Sequence, residues 1–99
     1  MKCLQMGIFK RESKALKTAK ENVKLSEEAI KILEKDNFAP LSKGDTEKLT
    51  KVLQKVNPTI TKEWVEKWVK DDQRYFWNKI WSVKTEWVRI VEKLEQNKE

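Results

Sequence analysis

The chain has no histidine. That removes the commonest general base and the commonest metal ligand together. It has one cysteine, Cys3, so neither an intrachain disulfide nor a thiolate metal site can form. A lone thiol suits a reducing compartment, with a Cys3–Cys3 bond between chains as the minority alternative. Only two glycines are present, Gly7 and Gly44, and they are too far apart for a phosphate-cradling loop. No nucleophile elbow and no zinc spacing occurs. No run approaches the length of a transmembrane helix. The N-terminal stretch MKCLQMGIFKRE has a short apolar run stopped by Lys10 and Arg11, which does not read as a signal peptide. These absences predict a non-enzymatic protein with no catalytic residues, no metal and no cofactor. They also predict an intracellular setting, the cytoplasm.

Ninety-nine residues make one domain, 1–99. Hydrophobic and charged residues each make up 38% of the chain, the first share low and the second high for a globular protein. The core is therefore thin, and an oligomer interface would add burial that a small core lacks. Nine large aromatic rings argue against disorder. The net charge of +6 is spread unevenly. Residues 1–36 carry nine basic and six acidic groups, residues 37–60 four and two, and residues 61–99 nine and eight.

Two prolines and no Asn-Gly or Asp-Gly hairpin signal leave helical periodicity nearly everywhere. In residues 9–36, Leu16, Ala19, Val23, Ser26, Ile30 and Leu33 fall on one face in steps of three or four. This is one helix, or two broken near Lys24–Ser26, where Ser26 could cap a second start. Residues 36–45, DNFAPLSKGD, read as a loop with Asp45 capping the next helix. Residues 46–56 place Leu49, Val52, Leu53 and Val56 on an amphipathic face. Asn57-Pro58 stops that helix, a turn follows near 57–60, and Thr61 caps the last region. The predicted class is all-α: a small helical domain of three to five helices with a long C-terminal helix over much of 61–96.

That last region carries all five tryptophans. Taken as one helix, Val65, Val69, Phe76, Ile80, Val83, Trp87, Ile90 and Leu94 form the core seam. Trp77, Trp81 and Val88 lie on one flank, and Trp64, Trp68 and Tyr75 on the other. Asp72 falls within the seam, where an unpaired carboxylate is costly. A break at Asp71–Asp72, with one of them capping a new helix, repairs this. Such a cap is favoured over a cation site, because adjacent acids on a helix diverge by about 100°.

Apolar flanks beside a complete seam predict self-association, most simply a homodimer, with Trp64, Trp68, Trp77, Trp81 and Val88 as the candidate interface. The alternative is nucleic-acid binding on a basic face of Lys10, Arg11, Lys14, Lys17, Lys20 and Lys24, opposed only by Glu12 and Glu21. A host protein is a third kind of partner. The helix–Asn57-Pro58–helix unit looks superficially like a helix-turn-helix. Its second helix opens TKEWVEKW, however, which would put Glu63 and Glu66 against phosphates and Trp64 where small polar readers sit.

In size, in Lys/Glu-rich and Trp-rich composition and in lack of an enzymatic signature, the chain resembles the small orphan proteins of filamentous viruses of thermophilic archaea. Low-GC bacteriophage proteins share that composition. High Lys and Glu without His suits thermostability, while five Asn and four Gln run against it. The resemblance covers the whole chain and transfers no site residues.

Overall fold

The computed structural model describes residues 13–96. Cys3, Lys10 and Arg11, and the start of the helix expected from residue 9, lie outside the described residues. The fold is all-helical, with three helices and no strand among the described residues: α1 (Lys14–Phe38), α2 (Lys43–Val56) and α3 (Lys62–Gln96). No helix among them is long and apolar enough to cross a membrane.

Helix α1 starts where the Ser13 hydroxyl accepts the Leu16 N–H at 3.0 Å, relieving one of the unpaired donors of the first turn. It runs unbroken through Lys24–Ser26, so the two-helix alternative is not taken. The Ser26 hydroxyl instead donates to the Asn22 carbonyl at 2.8 Å, inside the buried face. The expected stripe is the burying one: Leu16, Ala19, Ser26, Ile30 and Leu33 are all buried, and Val23 is half-buried. Regular geometry ends at Glu34. Asp36, Asn37 and Phe38 take φ of 51°, 57° and 66°, the left-handed region that L-residues avoid. Two bonds from the Gln73 amide hold this turn, one to the Leu33 carbonyl at 2.8 Å and one to the Ala39 carbonyl at 3.1 Å.

The loop before α2 is shorter than expected. Ser42, not Asp45, is the cap: its hydroxyl accepts the Asp45 N–H at 3.0 Å, and the helix begins three residues before 46. Asp45 sits in the first turn, where the helix dipole favours an acid, and accepts from Lys35 at 3.1 Å. At the other end Asn57 leaves helical geometry before Pro58, as the pyrrolidine ring requires. The Asn57 side-chain oxygen accepts from both the Thr59 N–H and the Thr59 hydroxyl, which closes the turn. Thr61 then caps α3 through the Trp64 N–H at 3.1 Å.

Helix α3 is broken where the apolar seam demanded it. Asp72 has φ −162° and ψ 87°, and its carboxylate accepts the Tyr75 N–H at 3.0 Å, starting a second segment. The break is acute. The rings of Trp64 and Phe76 are 5.6 Å apart, although twelve residues of straight helix would separate them by about 18 Å. The segment 62–71 therefore folds back beside 73–96. It packs there with α2 and the C-terminal half of α1.

The core fills this end of the molecule: Ala29, Ile30, Leu33, Leu49, Leu53, Val65, Phe76 and Ile80 form one buried cluster. Beyond it, α1 and the distal part of α3 continue as an antiparallel pair. Glu34 meets Trp77, Glu27 meets Lys84 and Lys20 meets Glu95, in reverse chain order. The result is elongated, 56 × 24 × 19 Å, with a radius of gyration of 16.8 Å against about 13 Å for a compact chain of this length.

Candidate functional site: an aromatic groove beside the helix break

The break builds a groove of about 810 Å³. Leu53 and Val56 of α2, Ile60 of the turn, and Trp64 and Trp68 of the first α3 segment line one side. Phe76, Ile80, Val83 and Trp87 of the second segment line the other. Trp68 stacks on Phe76 at 5.9 Å and on Tyr75 at 5.5 Å, and Trp64 meets Trp68 edge-on at 6.1 Å. These contacts hold the rings upright without covering them: Trp64 keeps 44% of its surface and Tyr75 47%. Such offset and edge contacts add about 0.5–1.5 kcal/mol each beyond burial, which favours this arrangement of the wall. Lys79 is the one charged residue in the lining, and its ammonium stands 5.6 Å from the centre of the Tyr75 ring.

The five candidate interface residues divide. Trp64 and Trp68 stand together on the groove wall. Trp77 and Trp81 form a separate cluster. The Trp77 indole N–H donates to Glu34 at 3.0 Å and its ring meets Phe38 edge-on at 5.3 Å. Trp81 lies 6.1 Å from Trp77 under the Lys84 ammonium, and is 38% exposed. The Arg74 guanidinium lies over the Phe38 ring, 4.4 Å from its centre. Trp77 is thus committed within its own chain, where it anchors the strained end of α1. Val88 is half-buried on α3.

The expected seam is corrected in its distal half. Val65, Phe76 and Ile80 are fully buried, but Val83 and Ile90 keep 36% and 38% of their surface, and Trp87 is a half-buried groove residue. Past Ile80 the half-buried positions are Lys84, Trp87, Val88, Val91 and Leu94, a face rotated by about one residue. The reason is the cover. Beside Phe76 the seam is enclosed by α1, α2 and the segment 62–71, whereas further along only α1 runs next to it.

Of the basic face, Lys14, Lys17 and Lys24 are exposed and Lys20 pairs with Glu95 at 3.5 Å. Glu21 and Glu28 are exposed on the same helix and dilute its charge. Nothing in the sequence marks Gln73 and Phe38, because their partners are far away in the chain.

The hydrogen bond from Lys35 holds the Asp45 carboxyl below its ordinary value, against the opposing effect of desolvation. Comparison with protein-family models, with curated proteins and with solved structures finds no match.

Proposed function

We propose that this protein works by association rather than catalysis, as an intracellular interaction protein that self-associates through its Trp-rich C-terminal helical region. One observation carries the reading. The seam that forms the core at Phe76 and Ile80 continues along the same helix face into Val83, exposed in the aromatic groove, and Ile90, exposed beyond it. Contiguous apolar surface of this kind on a small domain marks an association site. A second chain supplies the cover that α2 and residues 62–71 supply at the other end.

Sedimentation equilibrium of the full chain, from micromolar to several hundred micromolar, tests this. A concentration-dependent dimer that Trp64→Ala weakens supports it. A monomer over the whole range removes it. The rival reading, phosphate binding by the exposed Lys14, Lys17 and Lys24, predicts a gel shift of duplex or single-stranded DNA that weakens steeply with salt. No shift at tens of micromolar protein and low salt rejects that reading.

A further inference from the structure

We infer that two copies of this chain exchange their distal α3 segments: α3 straightens at Asp72, and residues 73–96 of each copy pack onto α1, α2 and residues 62–71 of the other. The exchange rests on self-association but not on the exposed strip at Val83 and Ile90.

The break itself favours it. One residue, Asp72, leaves helical geometry between Lys62 and Gln96. Helices that double back on each other are usually joined by about two to five residues. A connection this short invites exchange between copies in place of closure within one. The other two connections do not straighten so simply. The one between α1 and α2 contains Pro40 and follows three residues of positive φ, and the one between α2 and α3 contains Pro58. No glycine or proline follows Pro58, so no residue near the break forbids a continuous helix. Asp71 and Asp72 are exposed, and no packing at the hinge itself resists the change.

The contacts across the break fit two copies as well as one. Trp64 meets Phe76 at 5.6 Å, and Trp68 meets Phe76 at 5.9 Å and Tyr75 at 5.5 Å. Each pair is centred in the chain within two residues of Asp72. Straight helices packed antiparallel about a two-fold axis at Asp72 set the same residues against each other, now between copies. No side chain is seated where its own chain already lies, because the segment that covers Phe76 is the one supplied by the other copy. The groove is rebuilt with Ile60, Trp64 and Trp68 from one copy and Phe76, Ile80 and Val83 from its partner, so each copy contributes one wall.

Since both forms make the same contacts, the hinge and the concentration decide between them. Asp72 opposes the exchange twice. Its carboxylate caps the closed form through the Tyr75 N–H at 3.0 Å, and in the straight form the two copies of Asp72 meet near the axis with like charge. The chain is therefore closed in dilute solution and exchanges when concentrated.

The full chain, held at several hundred micromolar just below its melting temperature and then separated by size, tests this. In a Cys3→Ser background, Glu63→Cys and Glu92→Cys, both at exposed positions, carry spin labels. An excess of unlabelled chain leaves only distances within one chain. The closed form sets the labels about 20 Å apart and a straight α3 about 44 Å apart. In the dimer fraction, a distance above about 35 Å supports the exchange, and a shorter one overturns it while self-association stands. Position 73 follows the cap, where proline suits a broken helix and not a continuous one. Gln73→Pro should lower the dimer association constant at least a hundredfold relative to Gln73→Ala, which loses the same side-chain amide. Asp72→Ala should raise that constant at least tenfold over the unaltered chain. Equal constants in either comparison overturn the exchange. If the unaltered chain stays monomeric throughout, the exchange and self-association both fall.

Discussion

Asp72 decides whether the groove exists, and replacing it gives opposite signs for the two conformations that residues 62–96 can take. In the broken helix, the Asp72 carboxylate caps the second segment through the Tyr75 N–H at 3.0 Å and the side chain is otherwise exposed. Asp72→Ala then removes a cap and almost no packing, at a cost of about 1 kcal/mol, within a usual span of 0.5–2. For a domain of this size that is a fall in Tm of about 4–8 °C. In a continuous helix, Asp72 would sit in mid-helix on the apolar seam. Alanine would then stabilise by roughly 0.5 kcal/mol from propensity alone, and more from removing a carboxylate beside apolar neighbours. Asp72→Asn separates cap from charge: it keeps the accepting oxygen and loses only the interaction with the helix dipole, about 0.3–1 kcal/mol. Thermal melts followed by circular dichroism at pH 7 give all three values. The expected order of Tm is Asp72, then Asn, then Ala. An alanine variant that melts above the unaltered protein would refute the break and the groove with it.

Further outcomes follow from the same contacts. Leu33→Ala, at a fully buried core position, should cost about 2–5 kcal/mol in urea unfolding, whereas Trp81→Ala, 38% exposed, should cost distinctly less; equal losses would misplace the core. Gln73→Leu strips the donor from the Leu33 and Ala39 carbonyls at 2.8 and 3.1 Å and should cost about 1–3 kcal/mol, with loss of hydrogen-exchange protection at the end of α1. Asp36→Gly, at an exposed position with φ 51°, should raise the melting temperature slightly, by about 0.5 kcal/mol of relieved backbone strain. Asp45 has a depressed folded pKa, so its contribution is present above the unfolded value near 3.8 and is lost as pH falls through the folded one. With no histidine, melts at pH 5, 7 and 8 should coincide and decline only below about pH 4; a sharp transition between 5 and 8 would contradict this.

Several features follow from the sequence alone because their causes are local. Steps of three and four residues fix which face of α1 is apolar, and that face is the buried one. Asn57-Pro58 and Thr61 place their turn through backbone geometry that neighbours in the chain dictate. Asp72 announces the break because a carboxylate in an apolar seam has no good solution within one straight helix. Periodicity also fixes the orientation of every α3 side chain about its own axis. What it leaves open is which other elements lie alongside, and for how far. Phe76 and Val83 occupy equivalent seam positions one heptad apart, yet the first is buried and the second exposed, because α2 and residues 62–71 end between them. Trp77 likewise reads as a free flank until Glu34 and Phe38 are seen beside it, forty-three and thirty-nine residues away in the chain. The left-handed turn at Asp36–Phe38 depends on Gln73, whose two bonds span 40 and 34 residues. Spacing therefore determined the helices and the break between them. Only tertiary packing decided which apolar face is core and which remains an open groove, since burial depends on neighbours that a local period does not encode.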